Sequence, residues 1–119
     1  KAEAARGALI ARVAEFLRHY DLLICPAAPV PPFDVTQRYV EAIGDTKMDN
    51  YIEWIAITYC ITLTACPALS LPCAFTSDGL PVGMQLIAAN GEEARLLSHA
   101  SAIEELFAVA TGLPIDPCN

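Results

Sequence analysis

The sequence predicts a mixed α/β chain holding about three strands and three helices. Two amphipathic patterns of helical period stand at its ends, and short apolar runs bounded by proline and glycine lie between them. No internal repeat or low-complexity linker divides the 119 residues, so they read as one segment. From Ala2 to Tyr20, Leu9, Ile10, Val13, Phe16, Leu17 and Tyr20 recur at helical spacing. Glu3, Arg6, Arg12, Glu15 and Arg18 lie mostly off that face. Leu22–Cys25 is a continuous apolar run stopped by Pro26, which predicts a strand buried on both faces, as in a parallel sheet. Four prolines among the eight residues from Pro26 to Phe33 predict a stiff extended loop. A polar stretch from Thr36 to Asn50 follows, with Gly44-Asp45 as its turn and Lys47 in a solvated loop.

Asp49 or Asn50 caps a second helix running from Tyr51 to about Tyr59. That helix is apolar nearly all round, with Glu53 its single charge, so it is expected to be buried. Ala68–Phe75 reads as a strand, and Pro72 within it predicts an edge position or a bulge. Ser77–Pro81 is a turn. In the strand Val82–Ala88, alternation puts Val82, Met84, Leu86 and Ala88 on one face and Gly83, Gln85 and Ile87 on the other. Gly91 precedes a last helix, Glu92 to about Ala110, and Leu113–Asn119 is a proline-containing tail.

Composition narrows the function classes. With 14 acidic against 7 basic residues the net charge is −7, which argues against direct nucleic-acid binding. Only 18% of residues are charged and 55% are hydrophobic, so disorder is excluded. A solitary domain this small needs more polar surface, and the excess predicts that the chain packs against something else. The longest uncharged stretch, Trp54 to Ser77, is interrupted by Pro67 and Pro72 and reads poorly as a membrane span. The residues from Lys1 to Leu17 alternate charged and apolar and do not read as a signal peptide. Five cysteines without C-x-x-C spacing read as reduced structural thiols, which predicts a cytoplasmic setting. No set of cysteines and histidines has the spacing of a metal site, and no phosphate-binding glycine loop implies a cofactor.

Chemistry is scarce. Ser70 lacks the glycines of a nucleophile elbow, and its hydroxyl is better read as bonded to nearby backbone. Lys1 and Lys47 are the only lysines, and His19 and His99 read as satisfied or exposed helix residues. Glu92-Glu93 and Glu104-Glu105 are helix-surface carboxylates. From residue chemistry alone, no catalytic set assembles.

The stretch from Thr62 to Ile87, TLTACPALSLPCAFTSDGLPVGMQLI, changes the reading. It resembles the C-terminal signature of the amidase signature family, in which a P-A-hydrophobic-S-x-P strand precedes G-L-P-x-G-x-Q. The run Phe16–Pro26 is similar to that family's segment ending D-x-L-L-x-P, and the helix after Gly91 to its terminal helix. The resemblance implies the C-terminal part of the amidase signature fold. It also implies a parent hydrolase that cleaves carbon–nitrogen amide bonds with a serine–cis-serine–lysine triad. The triad motifs belong to the family's N-terminal portion and are not found in these 119 residues, so this chain alone is expected to be inactive. The implied partners are that N-terminal portion and a small-molecule amide, and exposed core surface is compatible with a homo-oligomer.

In the motif, Gly79, Pro81, Gly83 and Gln85 read as structural residues. Gly79 permits a positive φ in the turn, and Gly83 permits close packing. The family commonly has glycine where Ala65 stands and often where Ala74 stands, so a positive φ at either position would carry a cost here. Trp54, Ile55 and Thr58 are candidates for the substrate pocket. The glutamyl-tRNA amidotransferase members of the family usually carry an acidic residue about three positions before the Thr58 equivalent. Ile55 occupies that place and favours an uncharged aryl or alkyl amide, although Trp54 and Ile55 read equally well as plain core. Two further readings stay open. One is a non-catalytic structural or binding domain, and the other is a fragment of the glutamyl-tRNA amidotransferase A subunit.

Overall fold

The computed structural model describes residues 1–109, so the predicted tail from Leu113, the end of the last predicted helix at Ala110, and Cys118 lie outside the described residues. Apolar residues at helical spacing produce helix α1, Ala2–Leu17. It stops three residues short of the predicted end, and only Leu17 on it is buried. Phe16 and Tyr20 stack on each other with ring centroids 4.5 Å apart, yet both stay exposed. Strand β1, Leu23–Pro26, follows.

The polar stretch folds into a small hairpin of β2, Ala42–Ile43, and β3, Thr46–Lys47. Gly44, at φ +57°, makes its turn, and Lys47 therefore sits on a short exposed strand rather than in a loop. Helix α2, Tyr51–Trp54, begins at Asn50, whose side chain accepts hydrogen bonds from the Ile52 and Glu53 N–H groups. Glu53 answers by accepting from the Asp49 N–H at 2.7 Å and from the Asn50 amide at 3.0 Å. This reciprocal arrangement satisfies backbone donors that the helix itself cannot pair.

The second predicted helix is not continuous. Ile55, at φ −94° and ψ 13°, separates α2 from α3, Ala56–Tyr59, and a 3₁₀ turn covers Cys60–Thr64. Nor is it buried, since Tyr51, Ile52 and Tyr59 are all exposed. Its apolar character is real, but no described element covers its outer side.

Strands β4, Ala68–Phe75, and β5, Pro81–Ile87, form an antiparallel hairpin around the Ser77–Leu80 turn. β1 joins the other side of β5, giving the order β1-β5-β4. The sheet is antiparallel throughout, which corrects the parallel strand expected for Leu22–Cys25. Exposure alternates along β1, with Ile24 exposed beside half-buried Leu23 and Cys25, so the strand is not buried on both faces. A run of apolar residues identifies a strand, but its direction depends on the pairing partner. Pro72 lies on outer strand β4 where the register shifts between Pro72 and Ala74. A missing N–H is tolerated at such a place.

Helix α4, Glu93–Phe107, covers one face of this sheet. Leu71, Leu86 and Ala88 pack there against Leu96 and Ala100, with Leu22, Leu69, Met84 and Ile103 around them. The Arg95 guanidinium reaches Asp21, tying α4 to the start of β1. The radius of gyration is 16.6 Å, against about 13 Å for a compact chain of this length. α1 rests on the Cys60–Thr64 turn, where Arg6 Nε donates to the Leu63 carbonyl at 3.2 Å. Among the described residues, no helix is long and apolar enough to cross a membrane, no group of residues could hold a metal ion, and the four cysteines are free.

Candidate functional site

Alternation on β5 divides its residues between two faces. Met84, Leu86 and Ala88 meet α4, and Gly83, Gln85 and Ile87 point to the other side. On that second face Cys25, Gln85 and Ser70 stand in one row across the three strands. The Gln85 amide donates to Cys25 Sγ at 3.3 Å and to the Ile57 carbonyl at 3.4 Å. One side chain thereby links β5, β1 and α3.

Gly83 sits beside this row. A Cβ there would lie 3.2 Å from both the Ala27 Cβ and the Ser70 Oγ, so a larger residue would push β1's extension and β4 apart. The Ala27 N–H donates to the Gly83 carbonyl at 3.0 Å and holds the proline-rich loop against β5. Gly79, at φ +80°, makes the β4–β5 turn, which the Leu80 N–H closes by donating to Thr76 Oγ1 at 3.0 Å.

Two recesses open on this face and share Ala27. The first, of about 210 Å³, is walled by Val30, Pro31, Phe33, Trp54 and Gly83, with Pro81 and Val82 at its edge. Phe33 and Tyr51 both meet Trp54 edge-on, at centroid distances of 5.5 and 6.1 Å. The lining side chains carry no charge, and Trp54 is the one residue among them whose side chain has a polar atom, its Nε1. That N–H is shielded from solvent and finds no acceptor among the described residues.

The second recess, about 250 Å³, is lined by Thr58, Leu69, Ser70 and Gln85. Thr58 donates its hydroxyl to the Ile55 carbonyl at 2.6 Å, which leaves the oxygen free to accept. Trp54 and Thr58 thus lie in adjacent recesses, whereas Ile55 lines neither and contributes its carbonyl. Of the four motif residues, Pro81 and Gly83 border the first recess and Gln85 the second, and Gly79 stays in the turn.

No nucleophile–base pair is assembled among the described residues. Ser70 is exposed, and the hydrogen bond to nearby backbone expected for its hydroxyl is not made. His19 lies just beyond α1 and contacts Glu15 at 3.2 Å. His99, on α4, keeps Nδ1 shielded without a partner among the described residues, so it is neither satisfied there nor fully exposed as expected. Asp34 is held below the usual carboxylate range by hydrogen bonds from the Thr36 hydroxyl and N–H, which shape the loop beyond Phe33. Sequence reasoning missed Phe33 and Val30 as recess walls. Their signal was the proline run, which fixes an extended loop stiff enough to hold side chains over a strand.

The amidase family model matches residues 1–97. The chain belongs to the amidase family. Among curated relatives, the A subunit of the glutamyl-tRNA(Gln) amidotransferase of Prosthecochloris aestuarii is 39% identical over 107 residues. That match takes in 87% of this chain and 20% of the relative. The putative amidase AmiC of Mycobacterium leprae is 39% identical over 97 residues, or 79% of this chain and 20% of the relative. A crystal structure of an amidase superposes with a TM-score of 0.76 at 31% identity, over 89% of this chain and 24% of that one. The chain therefore spans about a fifth of the length of the curated relatives it matches. The amidase resemblance carried by Thr62–Ile87 and its mixed α/β fold are both upheld, and the departure at Ala65 has a visible consequence. Ala65 adopts φ +58°, a left-handed conformation that favours glycine, and Asn90 donates to its carbonyl at 2.8 Å.

Proposed function

We propose that these residues form the C-terminal portion of an amide-cleaving hydrolase and supply one wall of its substrate pocket. In this reading the serine–cis-serine–lysine triad is carried by the N-terminal portion of the amidase fold. There, lysine takes the proton of one serine as that serine takes the proton of the other, and the second serine adds to the amide carbonyl. The C–N bond breaks as the amine leaves with the proton handed back to it, and water then hydrolyses the acyl-enzyme to the carboxylic acid and free serine. The reading is supported above all by the two recesses on the open sheet face, bordered by Pro81, Gly83 and Gln85 of the family motif. Its partners are that N-terminal portion and a small-molecule amide, with a cytoplasmic setting and no direct contact to nucleic acid.

This chain alone is expected not to hydrolyse amides. Purified chain, free of any companion polypeptide, is assayed with an aryl amide and with glutamine for release of amine or ammonia. Catalytic turnover of either substrate that copurifies with the chain overturns the reading. A second reading, a fragment of a glutamyl-tRNA amidotransferase, is favoured by the 39% identity to one such protein. The two differ in preferred substrate once the N-terminal portion is present, glutamine for the amidotransferase and an uncharged amide for the hydrolase.

A further inference from the structure

We propose that the exposed turn Asn90-Gly91, between β5 and α4, is a deamidation site gated by the hydrogen bond from the Asn90 amide to the Ala65 carbonyl. The turn has what that reaction needs. The Glu92 N–H donates to the Ala89 carbonyl at 3.0 Å, which puts Asn90 and Gly91 at the centre of a four-residue turn. Both central residues are exposed to water, and Gly91 stands at φ +84°. The Gly91 N–H, the group that attacks, makes no hydrogen bond among the described residues. Glycine also brings no side chain to obstruct ring closure. One restraint opposes the reaction, the Asn90 amide donating to the Ala65 carbonyl at 2.8 Å.

The Gly91 nitrogen gives its proton to hydroxide and bonds to Asn90 Cγ. The Cγ–Nδ2 bond then breaks, and ammonia leaves with a proton taken from water, which restores the hydroxide. Water reopens the succinimide at either carbonyl, giving aspartate or, with the chain rerouted through Cβ and Cγ, isoaspartate. Nδ2 is both the atom bonded to Ala65 and the atom that leaves. The hydrogen bond therefore slows the reaction while it holds, and the reaction destroys it once complete. A carboxylate oxygen then faces the Ala65 carbonyl, two acceptors with no donor between them. Ala65 is already held at φ +58°, so the junction of the 3₁₀ turn with β4 loses its tie to the β5–α4 turn.

The purified chain is incubated at mildly alkaline pH, folded and in urea, and its digests are followed by mass spectrometry. The expected product is the peptide carrying residue 90 with its amide converted to a carboxylate, eluting as an aspartate and isoaspartate pair. Asn50, followed by the bulky Tyr51, is the internal reference and is expected to convert more slowly by roughly tenfold. The folded chain is expected to convert Asn90 severalfold more slowly than the chain in urea, because the amide must first leave Ala65. Asn90→Asp, the product without the rerouted backbone, is expected to unfold at a lower urea midpoint than the parent. Glu92 and Glu93 already place carboxylates at that end of α4, so a further one gains little from the helix dipole. Absence of conversion at Asn90 in the folded chain, or conversion of Asn50 at the same rate, overturns the site. Equal rates in the folded and urea-unfolded chain overturn the gate, and an unchanged midpoint in Asn90→Asp overturns the structural consequence. The reaction needs only the chain and water, so none of these outcomes bears on the amide-cleaving reading.

Discussion

The two faces of the three-stranded sheet are built from alternate residues of the same strand, yet they have opposite characters. Toward α4, Leu86 and Ala88 are at 0% and 1% exposure and meet Leu96 and Ala100 in continuous apolar packing. On the other side Ile87 is also fully buried at the end of the strand, but Gly83 and Gln85 lie half-buried beside exposed Ser70, under a loop that leaves two recesses. One face is closed by packing and the other leaves two recesses. The strand's period of two makes this division possible without any change in backbone path.

The sharpest way to break the contrast is to remove mass from the closed face. Leu86→Ala is expected to destabilise the chain by about 2–5 kcal/mol, because the sheet and α4 cannot fully collapse into the space left. Urea unfolding followed by circular dichroism measures it, and a loss below about 1 kcal/mol would show that this face is not the core. A smaller effect is expected on the open face from Gly83→Ala, about 1–2 kcal/mol through crowding of Ala27 and Ser70. Adding Ala27→Gly to that variant should recover part of the loss, and strict additivity of the two changes would refute the contact. The smallest effect has the opposite sign. Ala65→Gly is expected to stabilise by about 0.5–1 kcal/mol, since glycine adopts φ +58° without a Cβ penalty. A lower unfolding midpoint in that variant would contradict the left-handed assignment.

How much of this is legible in sequence follows from the range of each signal. The Gly44 turn, the Asn50 cap, the irregularity at Pro72 and the alternation of β5 are local, dictated by a residue's own dihedral limits or by its neighbours. Pairing is not local. Nothing within Leu23–Pro26 states that Met84–Ile87 lies beside it in the antiparallel sense, and the apolar run points wrongly to a parallel strand. The second helix departs from expectation for a related reason. Its all-round apolar pattern predicts burial, but burial requires a covering element, and Tyr51 and Ile52 have none among the described residues. Of the residues that line the two recesses, Trp54 and Thr58 are among those the family resemblance singles out. Phe33 is not, because its place over Gly83 depends on how the proline loop docks across roughly fifty residues of intervening chain.

Both outer strands of the sheet contain a proline, Pro26 closing β1 and Pro72 interrupting β4. A strand edge ordinarily offers a ladder of donors and acceptors that another chain can extend into a growing ribbon. Here one rung is missing on each side, and on β4 the register shift further twists the ladder out of line. A polypeptide with so much apolar surface exposed gains from that defect. Its margins are poor templates for uncontrolled strand addition, even though apolar side chains such as Ile24 and Phe75 on those same strands stay exposed.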